Sequence, residues 1–125
     1  MKKRISTDKA PAAIGPYSQA IMVNNIIYLS GMLPIDPSTG NFAEGGVKVQ
    51  TSQIFDNIKE VLAEADADFG NVVKTTVYLS DMAFFSEMNE VYAKQFAEPF
   101  PARTTIAVKA LPKDALVEIE VIAVK

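Results

Sequence analysis

From Ser18 onward the apolar residues fall into short strand-like runs and two longer helical stripes. Ser18 to Val23 and Ile26 to Ser30 read as two strands joined at Asn24-Asn25, a two-residue turn that tolerates positive φ. Ser30-Gly31 closes the second strand, and a glycine there suits a bulge or a close approach of the backbone to another group. Ile54, Ile58, Val61, Leu62 and Ala65 recur at helical spacing, so a helix is predicted from about Val49, with Thr51 or Ser52 as its cap or in its first turn. Gly70-Asn71 breaks the chain before Val72 to Leu79, a β-branched run of strand type. Ser80-Asp81 offers an N-cap to a second helix, Met82 to Phe96, whose buried stripe is Phe85, Met88, Val91, Tyr92 and Phe96. Pro99 and Pro101 end it.

Two closing strands complete the order β-β-α-β-α-β-β: Thr104 to Val108, and Leu116 to Val124 after the polar break Leu111-Pro112-Lys113-Asp114. Side chains alternate across a strand, so Val117, Ile119, Val121 and Ala123 make one wholly apolar face, while Glu118 and Glu120 share the other with Leu116, Ile122 and Val124. In the preceding strand Thr104, Ile106 and Val108 are assigned to the core. An antiparallel hairpin of the two would then bring Arg103 and Thr105 onto the same face as Glu118 and Glu120. An arginine, a hydroxyl and two carboxylates are costly to bury without a partner, which suggests an anion-binding site.

Two helices cover only one face of such a sheet. The other face, with Ile122 and Val124 beside its charges, is too apolar for water and too charged for a private core. An oligomer with clefts between its subunits resolves the conflict.

Composition narrows the chemistry. The chain has 125 residues, 49% of them hydrophobic, which is enough for one core, and 1–125 is read as a single α+β domain. A formal net charge of -3 and a pI of about 4.9 argue against a nucleic-acid surface. The basic Lys2-Lys3-Arg4 is expected to be a solvated tail, and residues 10–16 (Ala10-Pro11 to Gly15-Pro16) an extended or turned lead-in. There is no Cys and no His, so thiolate and Ser-His machinery and the commonest metal ligands are excluded. No apolar run nears the roughly 20 residues of a membrane span, and no signal-peptide core is visible, which makes the cytoplasm the expected location.

Several stretches, taken in order, carry a resemblance. They are Ala10-Pro11-Ala12-Ala13-Ile14-Gly15-Pro16-Tyr17-Ser18-Gln19-Ala20, Leu29-Ser30-Gly31, Val73-Lys74-Thr75-Thr76-Val77-Tyr78-Leu79 and Met88-Asn89-Glu90-Val91-Tyr92. Phe100-Pro101-Ala102-Arg103-Thr104-Thr105, Leu111-Pro112-Lys113-Asp114 and Val117-Glu118-Ile119-Glu120 follow. Over essentially its full length the chain resembles the reactive-intermediate deaminase family (Rid, also called YjgF or L-PSP). The resemblance implies a chorismate-mutase-like domain, a mixed sheet with two helices on one face, assembled as a homotrimer with ligand clefts between subunits. It implies hydrolysis of 2-imino acids, or of the enamines they tautomerise from, to 2-oxo acids and ammonia.

Carried over residue by residue, the resemblance gives Arg103 the substrate carboxylate, because a planar guanidinium offers two parallel donors. Glu118 is the residue implied to position or activate the attacking water. Thr105 stands where the family often has Cys, so its backbone carbonyl rather than its hydroxyl is the expected contributor. Tyr17, Ser30, Gly31 and Asn89 match cleft-lining positions, and Glu120 is left without a role. A protonated imine is already a good electrophile, so neither metal nor cofactor is called for. The rival readings are a non-catalytic regulatory or interaction protein that binds 2-oxo acids through the same arginine, and the endoribonuclease activity attached to some relatives. The acidic pI and lack of His disfavour the latter.

Overall fold

The computed structural model describes residues 1–125, and β-branched and aliphatic runs form most of its strands. The strands are β1 (Lys2–Ile5), β2 (Ala20–Val23), β3 (Ile26–Leu29), β4 (Val72–Leu79), β5 (Ala102–Ala107) and β6 (Val117–Val124). The helices are α1 (Val47–Glu64) and α2 (Phe85–Ala93). One mixed sheet runs in the order β1-β2-β3-β6-β4-β5, antiparallel throughout except for the parallel β4/β5 pair. No helix is long and apolar enough to cross a membrane.

Both helices contribute to one core on one face of the sheet. Ile54, Phe55, Ile58, Val61 and Leu62 of α1 pack with Met88 and Tyr92 of α2 over Val117, Ile119, Val121 and Ala123 of β6. Phe55 meets Phe69, Tyr92 and Phe96 edge-on, with ring centroids 5.8 Å apart in each pair. Such aromatic pairs add about 0.5–1.5 kcal/mol each beyond their burial. Phe96 lies past the end of α2 but keeps its place in this cluster.

The helix boundaries differ from expectation at both caps. α1 begins at Val47 behind Gly46, with no side-chain cap. Thr51 therefore sits in the second turn, where its hydroxyl donates to the carbonyl of Val47 at 2.7 Å. Asp81 does cap, its carboxylate accepting from the N–H of Ala83 at 2.8 Å, but the turn it opens is a single 3-10 turn, Met82–Phe84, ahead of α2. Leu116 also departs from its assignment. It precedes β6 and packs against the core rather than on the open face.

Two strand assignments are overturned. Lys2-Lys3-Arg4 is not a solvated tail but most of edge strand β1, anchored by buried Ile5 and paired to β2 from Lys2↔Val23 to Ile5↔Ala20. The sheet order thus begins β-β-β. The closing strands do not form a hairpin either, because β4 lies between them. β4, α2 and β5 make a crossover unit, which demands a parallel neighbour and so places β5 on one side of β4. β6 then takes the other side, antiparallel, along almost all of its length.

This topology changes the faces. Arg103 pairs with Thr75 and Thr105 with Val77, both of which point to the helices. Arg103 and Thr105 therefore occupy the helix side, and Ile106, expected in the core, is exposed on the other side with Thr104. The open face carries Tyr28, Lys74, Thr76, Tyr78, Ile106, Glu118, Glu120 and Ile122.

Candidate functional site

Arg103 stands on edge strand β5, and α2 supplies its surroundings. Its Nη1 donates to Asn89 Oδ1 at 2.6 Å. Its guanidinium carbon lies 4.7 Å from the centroid of the Tyr92 ring and 5.4 Å from that of Phe85. The Tyr92 ring is itself fixed, because its hydroxyl shares a buried 2.7 Å hydrogen bond with Thr75 Oγ1. Cation–π stacking and one amide thus orient the guanidinium without consuming its charge. The one ion pair of the chain joins Lys48 and Glu90, so no carboxylate neutralises Arg103. It opens on a cleft of about 410 Å³ lined by Asn89, Tyr92, Ala93, Phe100 and Pro101. Thr105, two residues on, turns its hydroxyl inward, where the buried oxygen has no hydrogen-bond partner.

Glu118 belongs to the open face and is half-buried. Gly31 makes room for it: a Cβ at that position would stand 2.9 Å from Glu118 Cδ. The close approach suggested by Ser30-Gly31 is therefore made to a carboxyl group. Burial first, and the charge of Glu120 second, push the Glu118 carboxyl above its ordinary value. Glu120 is held differently, its Oε1 accepting from the Tyr78 hydroxyl at 2.7 Å.

Tyr17, Ser30 and Gly31 share a small cavity of about 60 Å³ with Pro11, Met32 and Ile35. The Ser30 hydroxyl donates to the Ser18 carbonyl at 2.6 Å. Tyr17 is 54% exposed, and its hydroxyl accepts from the Ile14 N–H at 3.3 Å. Gln19, which sequence reasoning passed over, ties this region together. Its Oε1 accepts from the Thr7 N–H at 2.7 Å, and its Nε2 donates to the carbonyls of Thr7 at 3.1 Å and Pro11 at 2.7 Å. A glutamine soon after a Pro-rich lead-in was the only signal available in the sequence.

The predicted residues thus fall into two groups. Arg103 and Asn89 meet on the helix side of the sheet edge, while Tyr17, Ser30, Gly31 and Glu118 gather around the open face. Within one chain the structure does not bring Arg103 or Thr105 to Glu118, contrary to the hairpin expectation.

Comparison with known proteins bears on what the two groups do. Residues 7–125 match the family model described as endoribonuclease L-PSP. A RutC family protein of Pyrococcus abyssi is 52% identical over 99% of this chain and 98% of its own. The 2-iminobutanoate/2-iminopropanoate deaminase of Bos taurus is 53% identical over 100% of this chain and 91% of its own. Among solved structures, a Rid-family protein of unknown function from Yersinia pestis superimposes with a TM-score of 0.97 at 48% identity, with both chains fully covered.

Proposed function

The chain belongs to the L-PSP family, also called Rid, and from that membership we propose that it is a 2-iminobutanoate/2-iminopropanoate deaminase. The substrate is a small 2-imino acid, and the products are the 2-oxo acid and ammonia. The observation that carries this reading is Arg103, a guanidinium oriented by Asn89 and two aromatic rings yet lacking any carboxylate of its own. It is poised for the carboxylate of a ligand.

Arg103 grips that carboxylate, and Glu118 serves the water. Glu118 takes a proton as the water oxygen bonds to the iminium carbon, giving a carbinolamine. It returns the proton to nitrogen, the C–N bond breaks, and ammonia leaves with the hydroxyl proton as ammonium while the carbonyl forms. Thr105 contributes through its backbone carbonyl, consistent with a hydroxyl turned into the protein. Tyr17, Ser30 and Gly31 line the substrate's other side.

Arg103 and Glu118 lie on opposite faces of one sheet, so a complete site requires a second chain. The assembly is a homotrimer in which β5 of one subunit approaches the open face of the next. Tyr28, Ile106 and Val124 are 45%, 44% and 40% exposed on or beside that face, and each large apolar side chain gains roughly 1.5–3 kcal/mol on full burial. Ile122→Glu puts a charge into the packing layer. The expected result is a lower mass by light scattering, with activity falling in parallel. A stable Ile122→Glu monomer with full activity would show that the site is built within one chain.

The direct test adds the protein to threonine dehydratase product and follows ammonia and 2-oxobutanoate. Faster release than the spontaneous rate supports the assignment. Saturable binding of 2-oxobutanoate with no acceleration would turn it into a non-catalytic binding protein. Gly31→Ala is a finer probe, because its methyl would force the Glu118 carboxyl aside. Misplacement on that scale is expected to cost roughly 100-fold in turnover. Turnover at the parent rate in a folded Gly31→Ala protein would mean that Glu118 need not occupy this position.

A further inference from the structure

Two carboxylates, Glu118 and Glu120, project from the same face of β6, and their hydrogen bonding differs. Glu120 is held by a donor, the Tyr78 hydroxyl at 2.7 Å, whereas Glu118 has no hydrogen-bond partner in the chain. Tyr78 is the cross-strand partner of Glu118, so its ring starts opposite one carboxylate and its hydroxyl reaches diagonally to the other. We propose that Tyr78 and Glu120 form a positioning unit for Glu118, fixing a second negative charge on the open face so that Glu118 is the carboxylate that takes and returns the proton. The proposal rests on the deaminase reading and extends it to two residues to which that reading gives no role.

The physical basis is the asymmetry of the pair. The Tyr78 hydroxyl fixes where the Glu120 carboxylate sits, and a like charge held nearby disfavours ionisation of the neighbour. Two acids placed in such unequal settings divide their roles. The hydroxyl of Tyr78 is pushed above its ordinary value, chiefly by its bond to Glu120 and more weakly by the charge of Glu118, which places it within reach of both fields. Burial and Glu120 raise Glu118 in the same sense. Within one chain the remaining titratable groups around Glu118 are few, and the proposed trimer adds Arg103 on β5 of the next subunit. Lys74 on β4 spends a donor on Thr104 Oγ1 at 2.8 Å, Tyr28 lies on β3, and Tyr17 lies beside Gly31.

The sign follows from the role. Glu118 must be ionised to accept a proton, so a raised value makes the rate fall with decreasing pH earlier than an ordinary carboxylate would. Glu120→Gln removes the charge, and the acid-side midpoint of kcat should move to lower pH. Tyr78→Phe leaves the charge but frees it to swing outward, so the midpoint should move the same way by less. A merely structural role would lower the melting temperature and leave the midpoint where it is.

The test pairs pH–rate profiles of the full protein and both variants with a carbon-13 titration of the Glu118 carboxyl, assigned by its loss in Glu118→Gln. Downward shifts of that resonance's midpoint in Glu120→Gln and Tyr78→Phe support the proposal. Unmoved midpoints overturn it, even if the parent protein is an active deaminase. If the parent protein does not accelerate imine hydrolysis, the deaminase reading fails, and with it the catalytic role of the unit. The carbon-13 midpoints then decide the coupling alone. If Glu120→Gln fails to fold, Tyr78→Phe retains the ring and carries the decision.

Discussion

Glu118→Gln is expected to lower kcat by roughly 100- to 10,000-fold, the range associated with general acid–base steps. The amide keeps the shape of the carboxyl and its fit against Gly31, so the loss isolates proton acceptance from packing. Binding of 2-oxobutanoate should survive, because the proposed site gives its carboxylate to Arg103 rather than to Glu118. The setting of Glu118 supports the expectation. A half-buried carboxyl without a hydrogen-bond donor, beside a second carboxylate, is held less readily in its charged form than one in water. Calorimetry with 2-oxobutanoate and steady-state rates on the same preparation separate the outcomes. Collapse of binding with the rate at saturation intact would make Glu118 a structural residue and remove the water-activating role.

Much of the fold was legible because its elements are strongly periodic. Val72 to Leu79 is strand β4 without adjustment, and the apolar alternation of Val117, Ile119, Val121 and Ala123 becomes the buried face of β6. Strand β1 was not legible, since Ile5 is one apolar residue after three basic ones and its pairing to β2 is a tertiary choice. The partner of β5 was lost for a related reason. A polar break between two strands suggests a hairpin, but the crossover through α2 commits β5 to β4 before β6 is reached.

That single pairing decides the face of Arg103, because neighbouring positions on a strand point to opposite sides. The identities of the candidate residues came from matched motifs, whereas their division between two faces is a matter of topology that no local pattern encodes. Gln19 illustrates the other limit. Its value lies in reaching backbone groups at Thr7 and Pro11, which periodicity does not report.

Arg103→Ala should abolish most imine hydrolysis while leaving the fold intact. The side chain is exposed at a sheet edge, and its removal leaves Tyr92 fixed through Thr75 and Phe85 against the core. What should disappear is the proposed charge-assisted pair with the substrate carboxylate, on the order of 2–4 kcal/mol, or about 30- to 1,000-fold in kcat/KM. Arg103→Lys is the sharper control. An ammonium restores the charge but not the planar fork, and it cannot donate to Asn89 and grip both carboxylate oxygens in the same geometry. It should therefore recover little of the loss. Circular dichroism and light scattering on each variant establish that the fold and the assembly persist, and rates with the dehydratase-generated imine then report the site. If an intact Arg103→Ala protein worked at near-parent efficiency, the carboxylate would have to be held elsewhere. The aromatic shelf of Tyr92 and Phe85 would then be packing for an arginine with no ligand.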